Sequence, residues 1–292
     1  MEQNKLVEAL VELIRRSSVT LPFDVRKALE RAVEQEDKRS VARSTLLKIL
    51  ENVKLAEKQS TPVCQDTGTL IFHVGYGPGY RQSALRAAIE EAVRQATAKG
   101  CLRPNAVDSL SGKNSGDNVG IGSPFIDFLE RDAVGLEVGL LQKGGGSENV
   151  SCQYSLPYAP LKAGRDLGGV RRVVLDAVYQ AQGLGCSPGI IGVGIGGDRA
   201  TSYLEAKLQL LRPLDDANPD QTLGLLEDRL VEEANSLGIG PMGFGGKTTV
   251  LGVKIGARHR LPASFFVSIA YMCWAARRAH LTIDGKGEVS YA

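Results

Sequence analysis

The stretch GCSPGIIGVGIGGD, residues 185–198, places a short apolar run between glycines and leads into a helix-like segment at about 198–211. An apolar run of this length, bounded by turn-forming residues, is typical of a buried strand. The stretch therefore predicts a strand joined to a helix through a glycine turn. Strand and helix in succession are the building unit of mixed α and β proteins.

The same alternation extends along most of the chain. Four further strands are predicted at 69–74, 134–141, 248–256 and 263–272, and further helices at 80–99, 167–182 and 221–236. Before residue 60, apolar residues recur at helical spacing in three segments. The sequence therefore predicts an α+β (mixed α/β) fold, with mixed β-sheets flanked by helices and an N-terminal helical region. We expect a single domain over 1–292, with a helical cap at about 1–60 and a core at about 61–292.

Composition excludes several classes of protein. The 292 residues include 35 Lys plus Arg against 33 Asp plus Glu, so the basic excess of a nucleic-acid-binding protein is missing. No apolar run approaches the roughly 20 residues of a membrane-spanning helix. The start, MEQNKLVEALVELIRR, lacks the pattern of a signal peptide. We expect a cytoplasmic protein with no nucleic acid or membrane partner.

The glycines at 192–198 raise the alternative of a nucleotide site. Gly192, Gly194 and Gly197 match GxGxxG, which binds dinucleotides when an acidic residue ends a second strand about 20 residues later. The segment at that distance, LLRPLDDANPD, has the pattern of a helix end and a turn. A glycine-rich strand–helix junction is therefore favoured, and a nucleotide-binding oxidoreductase is kept as the weaker alternative.

Two other glycine loops each follow or precede a predicted strand. KGGGSEN, residues 143–149, frees several backbone N–H groups beside Lys143, which favours anion binding over a plain hairpin turn. In MGFGGKTT, residues 242–249, Lys247 is equally compatible with facing a carboxylate or facing solvent.

The five cysteines, at 64, 101, 152, 186 and 273, are odd in number, widely spaced and without a CxxC pair. These features disfavour a disulfide framework and a compact zinc site. Cys64, Cys186 and Cys273 lie at the ends of predicted elements, where they could converge on a metal. Unrelated buried thiols account for the spacing equally well.

Five local sequences together resemble one enzyme family. They are CQDTG at 64–68, KGGGSEN at 143–149, GCSPGIIGVGIGGD at 185–198, NSLGIGPMGFGGKTTVLGVKI at 235–255 and CWAARR at 273–278. In this order they resemble the α subunit, or N-terminal domain, of class I fumarate hydratase, an oxygen-sensitive iron–sulfur hydro-lyase. The α subunit of L-tartrate dehydratase is a near relative of that family.

The resemblance implies a 4Fe–4S cluster held by Cys64, Cys186 and Cys273, whereas Cys101 and Cys152 match no ligand position. The family commonly has two prolines after the second ligand, where this chain has Ser187–Pro188. We expect a local backbone difference there and no loss of the ligand. Three ligands for four irons leave one iron open, and an open iron can act as a Lewis acid on the hydroxyl of malate.

The resemblance also implies substrate contacts. Gln65 and Asp66 match substrate-pocket positions, with Asp66 transferring a proton or orienting the substrate. Arg103 matches an arginine that contacts a substrate carboxylate, and Gly146 matches a backbone position beside the substrate. The family's other catalytic residues lie in a C-terminal domain or β subunit. We therefore expect this chain to need a β subunit, as a homodimer of α chains or as α2β2.

The expected reaction is the reversible hydration of fumarate to (S)-malate, a step of the tricarboxylic acid cycle. Conversion of tartrate to oxaloacetate is the alternative within the family, and the loop sequence SEN after the glycines favours the fumarase pattern. A third possibility is a binding or assembly protein without catalysis.

Overall fold

The computed structural model describes residues 3–292. Its first part is helical, with α1 (Gln3–Val19), α2 (Phe23–Gln35) and α3 (Val41–Gln59). The predicted N-terminal helical region is thereby confirmed. In this described range, no helix has both the length and the apolar character that crossing a membrane requires.

The chain divides into two compact units, each built from separate segments of the sequence. Unit 1 comprises the residues up to Pro22 together with Asn52–Gly144 and Arg277–Ala292, and unit 2 comprises Phe23–Glu51 and Gly145–Ala276. Each unit has its own β-sheet and its own apolar core. The α+β fold with mixed sheets flanked by helices is confirmed.

Unit 1 is built on a five-stranded sheet. After α1 it contains, in chain order, β1 (Thr69–Tyr76), α4 (Gln82–Ala98), β2 (Phe125–Glu130), β3 (Leu136–Lys143), β8 (Arg277–Ile283) and β9 (Val289–Tyr291). The strand order is β2-β1-β3-β8-β9; β1 and β2 are parallel, and the other pairs are antiparallel. Alternate residues of β1 and β3 point into one core, which also takes in the apolar faces of α1 and α4.

Unit 2 is built on a four-stranded sheet. Besides α2, it contains α5 (Gly145–Asn149), β4 (Cys152–Ser155), α6 (Leu167–Ala181), β5 (Gly189–Ile195), α7 (Arg199–Gln209), α8 (Gln221–Ser236), β6 (Val250–Ala257) and β7 (Phe266–Met272). The strand order is β4-β7-β5-β6. The pair β5 and β6 is parallel, and β7 runs antiparallel to β5 and β4. Helix α7 packs on β5 and α8 packs on β6. The central strand β5 is buried along its whole length, which explains its unbroken apolar run.

The glycines of β5 serve helix packing. A Cβ added at Gly192 would overlap the carbonyl oxygen of Ala206, and one added at Gly194 would overlap that of Ser202, both on α7. The N-terminus of α7 is closed by Asp198, whose side chain accepts hydrogen bonds from the amides of Ala200 at 2.8 Å and Thr201 at 3.2 Å. The predicted strand–helix junction is confirmed, and the amides that a dinucleotide phosphate would need are already bound.

Sequence patterns identified the long elements and missed the short or polar ones. The strands β2, β4, β8 and β9 were not predicted. β4 is only four residues long, β2 is half exposed, and β8 begins with two arginines. Residues 145–149, expected as a loop, form a single helical turn.

Candidate active site

The loop that joins α3 to β1 carries three of the predicted site residues, Cys64, Gln65 and Asp66, in unit 1. The Asp66 carboxylate accepts a hydrogen bond from the amide of Gly68 at 3.0 Å through Oδ1. Gly68 has φ +79°, and a Cβ there would lie 2.7 Å from the carbonyl carbon of Lys143. Only glycine fits both the left-handed conformation and the close approach, which accounts for the end of the CQDTG motif.

Thr67 connects this loop to the segment that carries Arg103. Its buried Oγ1 accepts hydrogen bonds from the Arg103 amide at 3.1 Å and from Asn105 Nδ2 at 3.0 Å. The side chains of Gln65 and Arg103 are exposed. Arg103 lies 36 positions after Thr67 in the sequence, and unit 1 brings it to the loop that carries Gln65 and Asp66.

Arg277 reaches the same loop and was given no role by the sequence. It is 1% exposed, and its Nη1 donates a hydrogen bond to the main-chain carbonyl of Asp66. The only signal in the sequence was the arginine pair of CWAARR, close after Cys273.

Cys186 and Cys273 are held near each other in unit 2. Cys186 is half-buried and adopts φ +55°, which is uncommon for a residue with a Cβ. Its carbonyl accepts a hydrogen bond from the Trp274 amide at 3.2 Å, and Trp274 directly follows Cys273. Cys273 directly follows the last residue of β7 and is 9% exposed. The two cysteines that are 87 positions apart in the sequence thus lie on adjoining backbone segments.

The ring of Tyr271 forms the support of this pair. A Cβ added at Gly185 or at Gly189 would lie 2.5 Å from a ring carbon, so the Cys186 loop packs directly on the ring. Burial raises the pKa of Tyr271, and the charges of Cys273 and Cys186 raise it further. Within the described part of the chain, the Tyr271 hydroxyl is buried without a hydrogen-bond partner. A neutral donor beside two thiols suits a site that receives a group rich in acceptor atoms, such as the sulfides of a cluster.

Gly146 lies at the same place in unit 2. It is exposed on α5, and a Cβ there would lie 3.4 Å from the carbonyl oxygen of Leu184, two residues before Cys186. The α5 turn is tied to β7 through Ser151, whose Oγ donates to the Ser147 carbonyl at 2.8 Å and accepts from the Tyr271 amide at 3.0 Å. Unit 2 therefore brings Gly146, Cys186 and Cys273 together.

Ser187 makes its own contacts where the family commonly has proline. It is fully buried, its Oγ donates to the Gly240 carbonyl at 2.6 Å, and its carbonyl accepts from the Met242 amide at 2.8 Å. The Ser187–Pro188 peptide bond is cis. The hydroxyl fastens the Cys186 loop to the segment that precedes β6.

The other two cysteines have the properties of packed thiols. Burial raises the pKa of Cys152 to about 11 and also raises the pKa of Cys101. A cluster ligand must be a thiolate, so both environments oppose ligation.

The second glycine loop binds a carboxylate of its own chain. Glu36, 4% exposed, accepts from the amides of Lys247 at 2.8 Å and Thr248 at 2.9 Å through Oε1. The Lys247 ammonium pairs with Asp37 at 2.6 Å. The Lys247 side chain is 58% exposed, so it faces both a carboxylate and solvent, and the anion that the loop's amides bind is part of the protein.

The three predicted ligands are divided between the units, with Cys64 in unit 1 and the other two in unit 2. Across residues 3–292, no group of three His, Cys, Asp or Glu side chains has the arrangement of a metal site. The chemistry of the side chains fits an iron–sulfur cluster. Thiols are the usual ligands of such clusters, and the Tyr271 hydroxyl, which has no hydrogen-bond partner among the described residues, lies beside two of them. The ligand set stays a prediction.

Comparison with known proteins identifies relatives over nearly the whole chain. The fumarate hydratase (Fumerase) family matches residues 7–282. A Geobacillus stearothermophilus protein named for class I fumarate hydratase is 51% identical over 289 residues, which is 98% of this chain and 56% of that protein. The chain thus spans about half the length of that relative.

Two further relatives are named as α subunits of L(+)-tartrate dehydratase. The one from Methanocaldococcus jannaschii is 38% identical over 289 residues, covering 97% of this chain and 99% of the relative. The one from Escherichia coli strain UTI89 is 30% identical over 282 residues, covering 96% of this chain and 91% of the relative.

Proposed function

The chain belongs to the fumarate hydratase family, and on that premise we propose that it is the cluster-bearing part of a hydro-lyase that interconverts fumarate and (S)-malate. The observation that carries this proposal is the 51% identity to the class I fumarate hydratase relative, against 38% and 30% to the tartrate dehydratase α subunits. Dehydration of tartrate is the second candidate, and the two α-subunit relatives favour it.

We propose Cys64, Cys186 and Cys273 as the ligands of a 4Fe–4S cluster. When bound, such a cluster with three protein ligands supplies an open iron that can polarise a substrate hydroxyl. Two observations support this assignment: Gly146 is exposed beside the Cys186 loop, and Cys186 itself adopts a left-handed backbone of the kind that is often found at functional sites.

The chain's own residues bind and orient the substrate. The exposed guanidinium of Arg103 and the exposed amide of Gln65 offer N–H donors to a carboxylate of the dicarboxylic acid. Both belong to the segments joined at Thr67, so these donors and the Asp66 carboxylate serve one site. In this proposal Asp66 transfers the C3 proton of malate or orients the substrate, because a positioned carboxylate can act as a general base.

A partner chain completes the enzyme in this proposal. The two α-subunit relatives match this chain over 99% and 91% of their length, and their names place them in assemblies with other subunits. The partner proposed here is a β subunit that brings further substrate-binding cations, in an oxygen-sensitive α2β2 or similar assembly.

Anaerobic preparation of this chain with its partner tests the proposal. The expected result is about four irons per chain, a broad visible absorbance lost in air, and faster turnover of malate than of tartrate. Reversed substrate preference would favour the tartrate alternative. A colourless, iron-free complex after anaerobic cluster reconstitution would refute the iron–sulfur assignment. If that iron-free protein bound a nicotinamide dinucleotide, the alternative of a nucleotide-binding oxidoreductase would be favoured instead.

A further inference from the structure

Arg277 is a buried cation at the loop that carries Asp66. Its side chain is 1% exposed, and it begins β8 in register with Gln142 of β3. Burying a guanidinium costs several kcal/mol unless well-formed hydrogen bonds compensate for the lost water. Its location therefore requires specific partners.

The partners belong to Asp66. Arg277 Nη1 donates to the Asp66 main-chain carbonyl. A Cβ built on Gly144 would lie 2.9 Å from Asp66 Oδ2 and 3.4 Å from Arg277 Nη2. The carboxylate of Asp66 and the guanidinium thus converge over the Cα of Gly144, where any side chain would enter the space they use.

One nitrogen of the Arg277 guanidinium, Nε, has no hydrogen bond to a described residue. A buried donor left in this state costs about 1–3 kcal/mol. The contact that argues for a role of Arg277 at this loop is therefore its hydrogen bond to the Asp66 carbonyl.

We propose that Arg277 is a positioning residue for Asp66: its planar fork fixes the loop carbonyl and the orientation of the carboxylate. The inference rests on the proposed function for the role of Asp66 in the reaction. Arg277 acts through Asp66 and does not contact the substrate, since it is almost wholly buried. A lysine at this position keeps the positive charge, but its single ammonium group cannot donate from two nitrogens in a fixed plane as the guanidinium does.

The test compares Arg277→Lys and Arg277→Met in the cluster-loaded complex, with Arg278→Lys as the control. Arg278 is the next residue of β8, is also buried at 6% exposure, and points to the other side of the strand. Three quantities are measured for each: kcat and KM for malate, iron per chain, and hydrogen exchange of the Gly68 amide, which is bonded to Asp66.

Arg277→Lys is expected to lower kcat about 10- to 100-fold with KM changed by less than about threefold, because a small misplacement of a reacting group has effects of this size. Iron content stays at the wild-type level. Arg277→Met lowers kcat further and accelerates Gly68 exchange about tenfold or more, because the Asp66 acceptor moves. Arg278→Lys changes none of these.

Unchanged kcat and unchanged Gly68 exchange in both Arg277 variants would overturn the proposal, as would a loss of activity that only follows a loss of iron. If Arg277→Met does not fold, Arg277→Lys decides alone. If the wild-type complex hydrates no substrate, the proposed function fails, while Gly68 exchange still decides whether Arg277 holds Asp66.

Discussion

The Trp274 amide donates a hydrogen bond to the Cys186 carbonyl at 3.2 Å, and so fixes the strand end that carries Cys273 to the loop that carries Cys186. Trp274, the residue after Cys273, is thus hydrogen-bonded to Cys186. The contact lies within unit 2, where the Tyr271 ring supports the Cys186 loop.

The first prediction concerns the cysteines. Cys64→Ala, Cys186→Ala and Cys273→Ala are each expected to abolish retention of the cluster, because each removes one of three thiolate ligands. Iron per chain after anaerobic reconstitution is the measurement. Cys101→Ala and Cys152→Ala are the controls and should keep the iron. Full iron in any of the first three variants would contradict the ligand assignment.

The second prediction concerns the glycines of β5. Gly194→Ala is expected to destabilise the protein by about 2–3 kcal/mol, because the added methyl overlaps the Ser202 carbonyl of α7. The free energy of unfolding from urea titration measures the change. Gly120→Ala serves as the control, since a Cβ there has no neighbour within 4 Å, and should be neutral within about 0.5 kcal/mol. Equal stability of the two variants would show that α7 does not need the glycines of β5.

The third prediction concerns the loop that binds Glu36. Glu36→Ala is expected to cost about 2–4 kcal/mol, because the buried amides of Lys247 and Thr248 lose their acceptor. Glu36→Gln retains an acceptor oxygen and should cost less. The neighbouring Asp37→Ala removes only the exposed pair with Lys247 and should cost about 0–1 kcal/mol. Thermal or urea unfolding ranks the three variants. A larger loss of stability from Asp37→Ala than from Glu36→Ala would refute the importance of the hydrogen bonds from the Lys247 and Thr248 amides to Glu36.

The fourth prediction concerns pH. The hydrogen bond from Arg15 lowers the pKa of Glu12 from 4.5 to about 2, and Arg16 contributes. A lowered pKa in the folded state gives stability that is present above pH 4.5 and is lost as the pH falls toward 2. Glu12→Gln should therefore be less stable than wild type at pH 7, by about 1 kcal/mol at most because the pair is partly exposed.

The urea-unfolding difference between wild type and Glu12→Gln should shrink steadily between pH 4.5 and 3. A difference that stays constant over this range would mean that the Glu12 charge does not contribute. High salt should reduce the difference at pH 7, since the pair is screened.

Local sequence determined the long elements of this protein because their signals are local. Helical periodicity placed α4 and α6, and an unbroken apolar run placed the buried strand β5, each with boundaries within about two residues. Strands with short or half-exposed patterns, such as β2 and β4, carry no such signal. Likewise, the adjacency of Cys64, Gln65 and Asp66 is a property of the chain and could be read directly from it.

Contacts between distant residues were decided only by the tertiary structure. Arg277 and the Asp66 carbonyl are 211 positions apart, as are Glu36 and Lys247, and no local pattern connects either pair. The same holds for Cys186 and Trp274, which meet because β5 and β7 are neighbours in one sheet. Sequence specifies which chemical groups are available through composition and short-range pattern. Strand pairing and the need to satisfy buried polar groups then decide which of those groups meet.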